Sequence, residues 1–418
     1  MSKESSDEDD KQEDFFNTNT KKEDNNNSPH PDDSPKPVDE QSNNSDKNSF
    51  LNKKKKPEES KEKPFVNYQE YYTTSGVRDP GKEGRKASRI IFLRSFNNWV
   101  KASMINKYCH LLGKDVSVLD LCCGKGGDLD KYFMNKIKLY VGADISEELI
   151  KNALTRLEKI KNEKYSNNFQ TKCIFIKEDL SSPQNELMEK IDKKYYFDLV
   201  SCQFALHYHF ENEQRLNAFL FNVSERLCDG GYFIGTIIED NVIVKRLRNR
   251  KFNSENKYIN EKLTVGNEFY SVIFSQKHFD KKNGPFGIKY GFYLEDSIDN
   301  RDEEGNIKYV GEYLVVFKEF EKICKKYGLY LVEKENFTNF YHDYIKDNFY
   351  KKLSAKMLKD INTSFMKQQW EIIQLYTIFV FRKGEPSEKS KDKYVPYLVK
   401  NKSIIKDYEP ECKTGAFD

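Results

Sequence analysis

Residues 116–130 read VSVLDLCCGKGGDLD, and the rest of the chain is organised around them. Val116, Val118, Leu119 and Leu121 make a short apolar strand, with Asp120 near its carboxyl end. Gly124, Gly126 and Gly127 let the backbone turn sharply and approach a ligand closely, and the residues after them open a helix. In an open α/β sheet, ligands bind just outside the carboxyl ends of the strands. The loop therefore predicts a ligand site, and the chain downstream must say which ligand.

Downstream, strand and helix patterns alternate. Lys138–Asp144 (KLYVGAD) reads as a second strand, and SEELIKNALTRLEKI as a helix with Ser146 at its N-cap and Glu148 in its first turn. CIFIKED is a third strand ending at Asp179, and FDLVSCQ a fourth running into Cys202 and Gln203. Phe210–Leu227 reads as a helix stopped by Asp229-Gly230-Gly231, and Tyr232–Ile238 as a fifth strand. This alternation predicts an α/β fold with a mostly parallel, doubly wound sheet. Beyond residue 265 the periodicity changes. EFYSVIFSQ and FGIKYGFYLED predict a local antiparallel element, Tyr313–Tyr327 a helix, GLYLVEKENF a strand, Lys346–Ile361 a helix, and Leu375–Arg382 a last apolar strand. Upstream, Ile91, Phe92, Phe96, Trp99, Ile105 and Leu111 recur at helical spacing.

Asp120, Asp144 and Asp179 fall at or just past the first three strand ends. A carboxylate after the second strand can accept both hydroxyls of a ribose, and one after the third can meet an adenine amine. Strand ends are often Asp, so each alone says little. The three together behind a glycine loop describe a nucleoside site. From Gly124 the chain runs G-K-G-G-D-L, which lacks the third glycine of a dinucleotide fingerprint and the Lys-Ser/Thr ending of a P-loop. An acidic site with no phosphate cradle suits S-adenosylmethionine, which carries no phosphate.

VLDLCCGKGGDLDKY, with SFNNWVK upstream and SCQFALHYHF downstream, resembles the messenger-RNA cap guanine-N(7) methyltransferases. That family typically shows VLDLGCGKGGDL, FNNWIK and a QFxxHY segment. The likeness continues through GGYFIGT, FGIKYGFYLED and GEYLV and covers Phe65 to Lys383. It implies a seven-stranded class I methyltransferase sheet, Rossmann-like, with an inserted antiparallel cap-binding element. It also implies methyl transfer from S-adenosylmethionine to nitrogen 7 of the guanine of a 5′ GpppN cap. Residue by residue, Lys101 would contact the methionine carboxylate, and Asp120, Cys122 and Gly124 would line the amino-acid part. Asp144 would hold the ribose and Asp179 the adenine, with Gln203 and Tyr208 closing near the methyl group. Asn97 and Asn98 would approach the guanosine or its triphosphate, and Lys125, Lys131 and Arg156 would face phosphates. His207, Glu312 and Tyr376 would surround the guanine. Cys122 stands where the family has its first loop glycine, and Leu180 where it often has a small polar residue.

Taken singly, several of these residues have blander readings. Glu312 alone reads as an acid favoured at a helix N-terminus. His207 reads equally as a core histidine, and His209 as a surface residue. The eight cysteines show no CxxC and no paired Cys/His spacing, so no metal is expected and the thiols read as apolar filler. Nitrogen 7 carries a lone pair and no proton, so no catalytic acid or base is expected, only positioning by Gln203, His207 and Tyr208.

Residues 1–64 hold almost no apolar side chains and half of the 12 prolines, the composition of a disordered charged tail. Residues 65–383 form the expected catalytic domain, and 384–418 a charged C-terminal tail. No apolar run is long enough to span a membrane and the acidic start is no signal peptide, so a soluble intracellular chain without membrane contact is expected. Lys53–Lys56 before Pro57 suits a nuclear import signal. The resemblance implies capped RNA as partner, with other capping enzymes or the RNA polymerase II machinery beside it, and a monomer acting in the nucleus. Two other readings compete: a catalytically silent cap-binding module on the same fold, which would have lost Asp144, Asp179 or the loop, and a small-molecule methyltransferase, which would not need SFNNWVK or Glu312.

Overall fold

The computed structural model describes residues 65–74, 84, 87–165, 168–252, 263–274, 284–359 and 364–384. The two expected tails and the Lys53–Lys56 run lie outside them. A seven-stranded sheet has the order β10-β11-β5-β4-β1-β2-β3. Its strands are β1 (Ser117–Leu121), β2 (Leu139–Asp144), β3 (Lys172–Lys177), β4 (Phe197–Gln203), β5 (Leu227–Ile238), β10 (Leu329–Asn336) and β11 (Tyr376–Lys383). The first five are parallel, and β11 runs antiparallel to both neighbours. Every residue of β1 and β2 is buried, which is why these strands read as apolar runs rather than alternations.

The crossover helices lie on both faces: α1 (Tyr68–Thr74), α2 (Ile91–Leu112), α3 (Leu129–Met134), α4 (Glu147–Ile160), α5 (Glu213–Ser224) and α6 (Asp240–Phe252), then α7 (Phe317–Lys326), α8 (Phe337–Tyr344), α9 (Asn348–Met357) and α10 (Met366–Ile373). One core layer gathers α2, α3 and the helices near the C-terminus, and the other gathers α5 and α7. Phe96 and Trp99 of α2 meet Tyr341 and Trp370 in an aromatic cluster. The α4 N-cap is Ser146, whose Oγ accepts from the Leu149 N–H at 3.3 Å, as its sequence predicts.

Four further strands, β6 (Leu263–Asn267), β7 (Tyr270–Phe274), β8 (Lys289–Leu294) and β9 (Val310–Tyr313), make the expected separate antiparallel sheet. Several boundaries differ from those the sequence predicts. The strand β5 begins at Leu227 and takes in Asp229-Gly230-Gly231, with a register shift against β4 between Phe197 and Leu199; the glycines bend the strand instead of preceding it. The helix expected from Phe210 is split into a 3-10 turn, Leu206–Glu211, and α5, which starts after its Asn212 cap. Tyr313 ends β9, and helix begins only at Phe317. Leu111 is exposed and Leu112 takes its core position. The strand β3 stops at Lys177, which puts Asp179 in the loop beyond. No helix among the described residues is long and apolar enough to cross a membrane.

Candidate active site

A cavity of about 1120 Å³ opens at the carboxyl ends of β1, β2 and β4, where the strand order reverses and ligands bind in such sheets. Every site residue named from the sequence lines it except Lys131. It brings together Asn97, Asn98 and Lys101 from α2, Asp120, Cys122, Gly124 and Lys125 from β1 and its loop, Asp144 from β2, and Arg156 from α4. Asp179, Gln203, His207, Tyr208, Glu312 and Tyr376 complete the set.

One wall is acidic. Asp144 is buried, and its Oδ2 accepts from the Gly124 N–H at 2.9 Å and its Oδ1 from the Ser146 N–H at 3.0 Å. Burial raises this carboxyl above its ordinary value, and those N–H groups act against the rise. Each oxygen keeps further lone-pair capacity, as a diol needs. Gly124 has φ +53°, a left-handed conformation that glycine adopts freely. Asp120 accepts from Tyr140 Oη at 2.8 Å, and burial pushes its pKa up to about 7. Asp179 Oδ1 accepts from the Ser181 N–H at 3.0 Å and lies 3.4 Å from Arg215. Gln203 is held by Ser201 and Thr236, at 3.1 and 3.2 Å.

Asp128 is a site residue that the sequence reading missed. It receives Lys101 Nζ at 2.8 Å and Lys131 Nζ at 2.6 Å. Lys131 also reaches Asn98 Oδ1 at 2.9 Å and so stands behind the cavity wall. The Asp128–Lys131 spacing of three on a helix start was readable; the approach of Lys101 was not. Burial alone would raise the Asp128 carboxyl, but the two ammonium groups outweigh it and hold the pKa well below the usual carboxylate range. The stability from this pairing is therefore present at neutral pH and lost as pH falls below the unfolded aspartate value. Asp128→Ala strands two cations with side-chain exposures of only 14% and 12%, and should cost roughly 3–5 kcal/mol, read as a lower urea midpoint with unchanged slope.

A second part of the lining is aromatic and under-satisfied. Tyr208 stacks on Tyr68 at 4.4 Å between centroids, and its Oη is 3.0 Å from that of Tyr72. Glu312 is fully buried on β9, opposite Tyr290 of β8, whose hydroxyl donates to Oε2 at 2.8 Å. Its helix-terminus reading is thus corrected: pairing with β8 holds it in a strand. Glu312 Oε1 lies 3.4 Å from His207 Nε2, but neither atom has an aligned hydrogen bond, and His207 Nδ1 and Asn97 Oδ1 also lack partners. Burial lowers His207 to about 3 and raises Glu312 to about 8, so at neutral pH the two are uncharged and form no ion pair. Buried polar atoms left unpaired beside a cavity are costly unless a ligand satisfies them. Tyr376 Oη belongs to the same wall, its ring edge-on to Phe204 at 5.1 Å.

His209 is not at the surface. It is 4% exposed and stacked on Phe219 at 3.9 Å, because the 3-10 turn that carries it is buried from Leu206 to Phe210. Cys122 has φ +59°, a left-handed conformation that costs a non-glycine residue about 1 kcal/mol.

Residues 54–384 match the family described as mRNA (guanine-N(7))-methyltransferase domain. The mRNA cap guanine-N(7) methyltransferase 1 of Oryza sativa subsp. japonica is 36% identical over 313 residues, covering 73% of this chain and 78% of that protein. The Arabidopsis thaliana protein of the same name is 35% identical over 316 residues, with the same coverage of 73% and 78%. Among solved structures, an S-adenosylmethionine-dependent methyltransferase from Clostridium acetobutylicum ATCC 824 aligns with a TM-score of 0.38 at 15% identity, covering 70% of this chain and 92% of its own. The PH0226 protein from Pyrococcus horikoshii OT3 aligns with a TM-score of 0.38 at 18% identity, covering 75% and 98%.

Proposed function

The chain belongs to the mRNA (guanine-N(7))-methyltransferase family, and on that premise we propose how its cavity divides between cofactor and cap. The enzyme transfers a methyl group from S-adenosylmethionine to nitrogen 7 of the guanine of capped RNA. The acidic wall is assigned to the cofactor. Asp144 takes the ribose diol, Asp179 the adenine, Asp120, Cys122 and Gly124 the methionine part, and Lys101 its carboxylate. The aromatic wall is assigned to the cap. Glu312, His207 and Tyr376 surround the guanine, and Asn97, Asn98, Lys125 and Arg156 lie toward its phosphates; Lys131 acts behind them through Asp128 and Asn98. The observation that carries this division is the unsatisfied pair of His207 and Glu312, both buried and both lining the cavity.

The cofactor supplies a methyl carbon already activated by the sulfonium charge. The protein's task is alignment. Gln203 from the acidic part of the lining and Tyr208 from the aromatic part would hold nitrogen 7 in line behind the methyl carbon. Aligned in this way, nitrogen 7 would take the methyl group as the S–C bond breaks, with the electron pair of the S–C bond left on sulfur. No proton moves, so no side chain acts as acid or base. Positioning of this kind can lower a barrier by about 7–11 kcal/mol. Positive charge passes from sulfur to the purine, and the carboxylates that surround the site favour it there. The unpaired atoms on the cap wall argue against a small-molecule substrate that would fill only the cofactor half.

The family's substrate and the Lys53–Lys56 run support action in the nucleus on nascent transcripts, beside other capping enzymes and the RNA polymerase II machinery. A monomer suffices, since one chain supplies every residue assigned here. Labelled S-adenosylmethionine offered with GpppA should label the guanine, while ApppA and m7GpppA should stay unlabelled. Absence of label on GpppA would overturn the substrate assignment.

A further inference from the structure

Cys202 and His209 are given no part in methyl transfer, Cys122 only a place beside the methionine part of the cofactor, and the spacing of the three in the sequence does not join them. The fold does. Pairing of β1 with β4 sets Leu121 against Cys202, which brings Cys202 beside Cys122, the next residue along. His209 arrives from the turn that follows β4. One donor atom from each of the three lies within 4.8 Å of the others.

Two details go beyond proximity. Cys122 Sγ is 3.5 Å from His209 Nε2. A tetrahedral ion with bonds of about 2.3 Å to sulfur and about 2.0 Å to nitrogen holds such atoms about 3.5 Å apart, so that edge of the coordination polyhedron is already in place. The imidazole is also fixed from behind. Ser181 Oγ hydrogen-bonds Nδ1, and Phe219 stacks on the ring at 14° between planes. With Nδ1–H donating to Ser181, the Nε2 lone pair faces the thiols, which is how an outer partner sets a metal-binding histidine. The left-handed backbone at Cys122, φ +59°, is a position glycine would occupy without strain, and the thiol found there is the one that completes the triad.

We propose that Cys122, Cys202 and His209 form a three-ligand site for a thiophilic metal ion of the Zn2+ or Cu+ class, with Ser181 as the residue that orients His209. Both thiols bind as thiolates, and their two protons pass to solvent. Cys122 and His209 also line the cavity, so the fourth coordination position opens toward it and takes a water. The site shares Cys122 with the cofactor assignment above, and a metal titration without cofactor reads it separately.

The test is titration of the reduced, metal-free full-length chain with Zn2+ against a chromophoric chelator, repeated with Co2+ to read the thiolate charge-transfer band. The expected result is one tight ion per chain with thiolate absorption. Ser181→Ala should weaken binding by roughly 10–100-fold, the cost of losing an outer partner. Cys122→Gly and Cys202→Ala should each weaken it by more than that, whereas Cys412→Ala should leave it unchanged. Cys122→Gly relieves a strained backbone and so does not confound the reading with misfolding. Tight binding that survives Cys122→Gly, or no tight Zn2+ binding by the parent chain, would overturn the proposal and leave the cluster as a thiol–imidazole hydrogen bond.

Discussion

Asp144→Ala should weaken S-adenosylhomocysteine binding by about a hundredfold or more while the chain stays folded. A hydrogen bond to a charged group is worth about 1.5–3 kcal/mol. A carboxylate that accepts both ribose hydroxyls therefore accounts for about 3–6 kcal/mol, or roughly 10²–10⁴ in affinity. The same side chain holds the Gly124 and Ser146 N–H groups at 2.9 and 3.0 Å, so its loss also releases the glycine loop and the start of α4. Asp144→Asn keeps one acceptor oxygen and should fall between the two. Calorimetric titration with S-adenosylhomocysteine gives the affinity, and the thermal midpoint controls for folding. Wild-type affinity in Asp144→Ala would move the ribose elsewhere and take the cofactor half of the assignment with it.

The parts of this site carried by parallel strands were legible in the sequence. KLYVGAD and FDLVSCQ are buried on both faces, so their apolar runs report the fold directly, and Asp144 and Gln203 at their ends follow. The Ser146 cap was legible for a similar reason, since it is a local bond three residues long. Residues whose role depends on distant partners were not. GEYLVVF carries no sign that β8 will pair with it, yet the pairing of Tyr290 with Glu312 makes it a strand. His209 read as a surface residue; in a 3-10 turn buried from Leu206 to Phe210, both histidines go inward. The strand β11 read as the last of the sheet and is the last strand among the described residues, but it lies between β10 and β5, an interior place that accounts for its unbroken apolar run. Asp128 followed the glycine loop as one more polar residue until Lys101, 27 positions earlier, came to meet it at 2.9 Å.

Glu312→Gln should lower cap affinity by about a hundredfold or more and leave S-adenosylhomocysteine affinity unchanged. Guanine presents an N–H and an amine on one edge, and a carboxylate accepts from both at once. The amide keeps the size of the side chain but turns one acceptor into a donor, set against guanine's own donors. Two charge-assisted bonds at about 1.5–3 kcal/mol each give the stated range. The pH dependence follows from burial, which raises Glu312 to about 8 even though Tyr290 and Tyr208 act against the rise. Below that value the acid is protonated in the free site, and binding guanine must expel the proton. Cap affinity should therefore climb with pH, by up to tenfold per unit, and level off above about 8. Glu312→Gln, with nothing to ionise, should lose that slope. His207, held neutral by burial, contributes no opposing slope in this window. Titration of GpppG at several pH values, in wild type and variant, separates the cases. A flat wild-type profile would mean that Glu312 is not the guanine acceptor, and so would equal losses of cap and cofactor affinity in the variant.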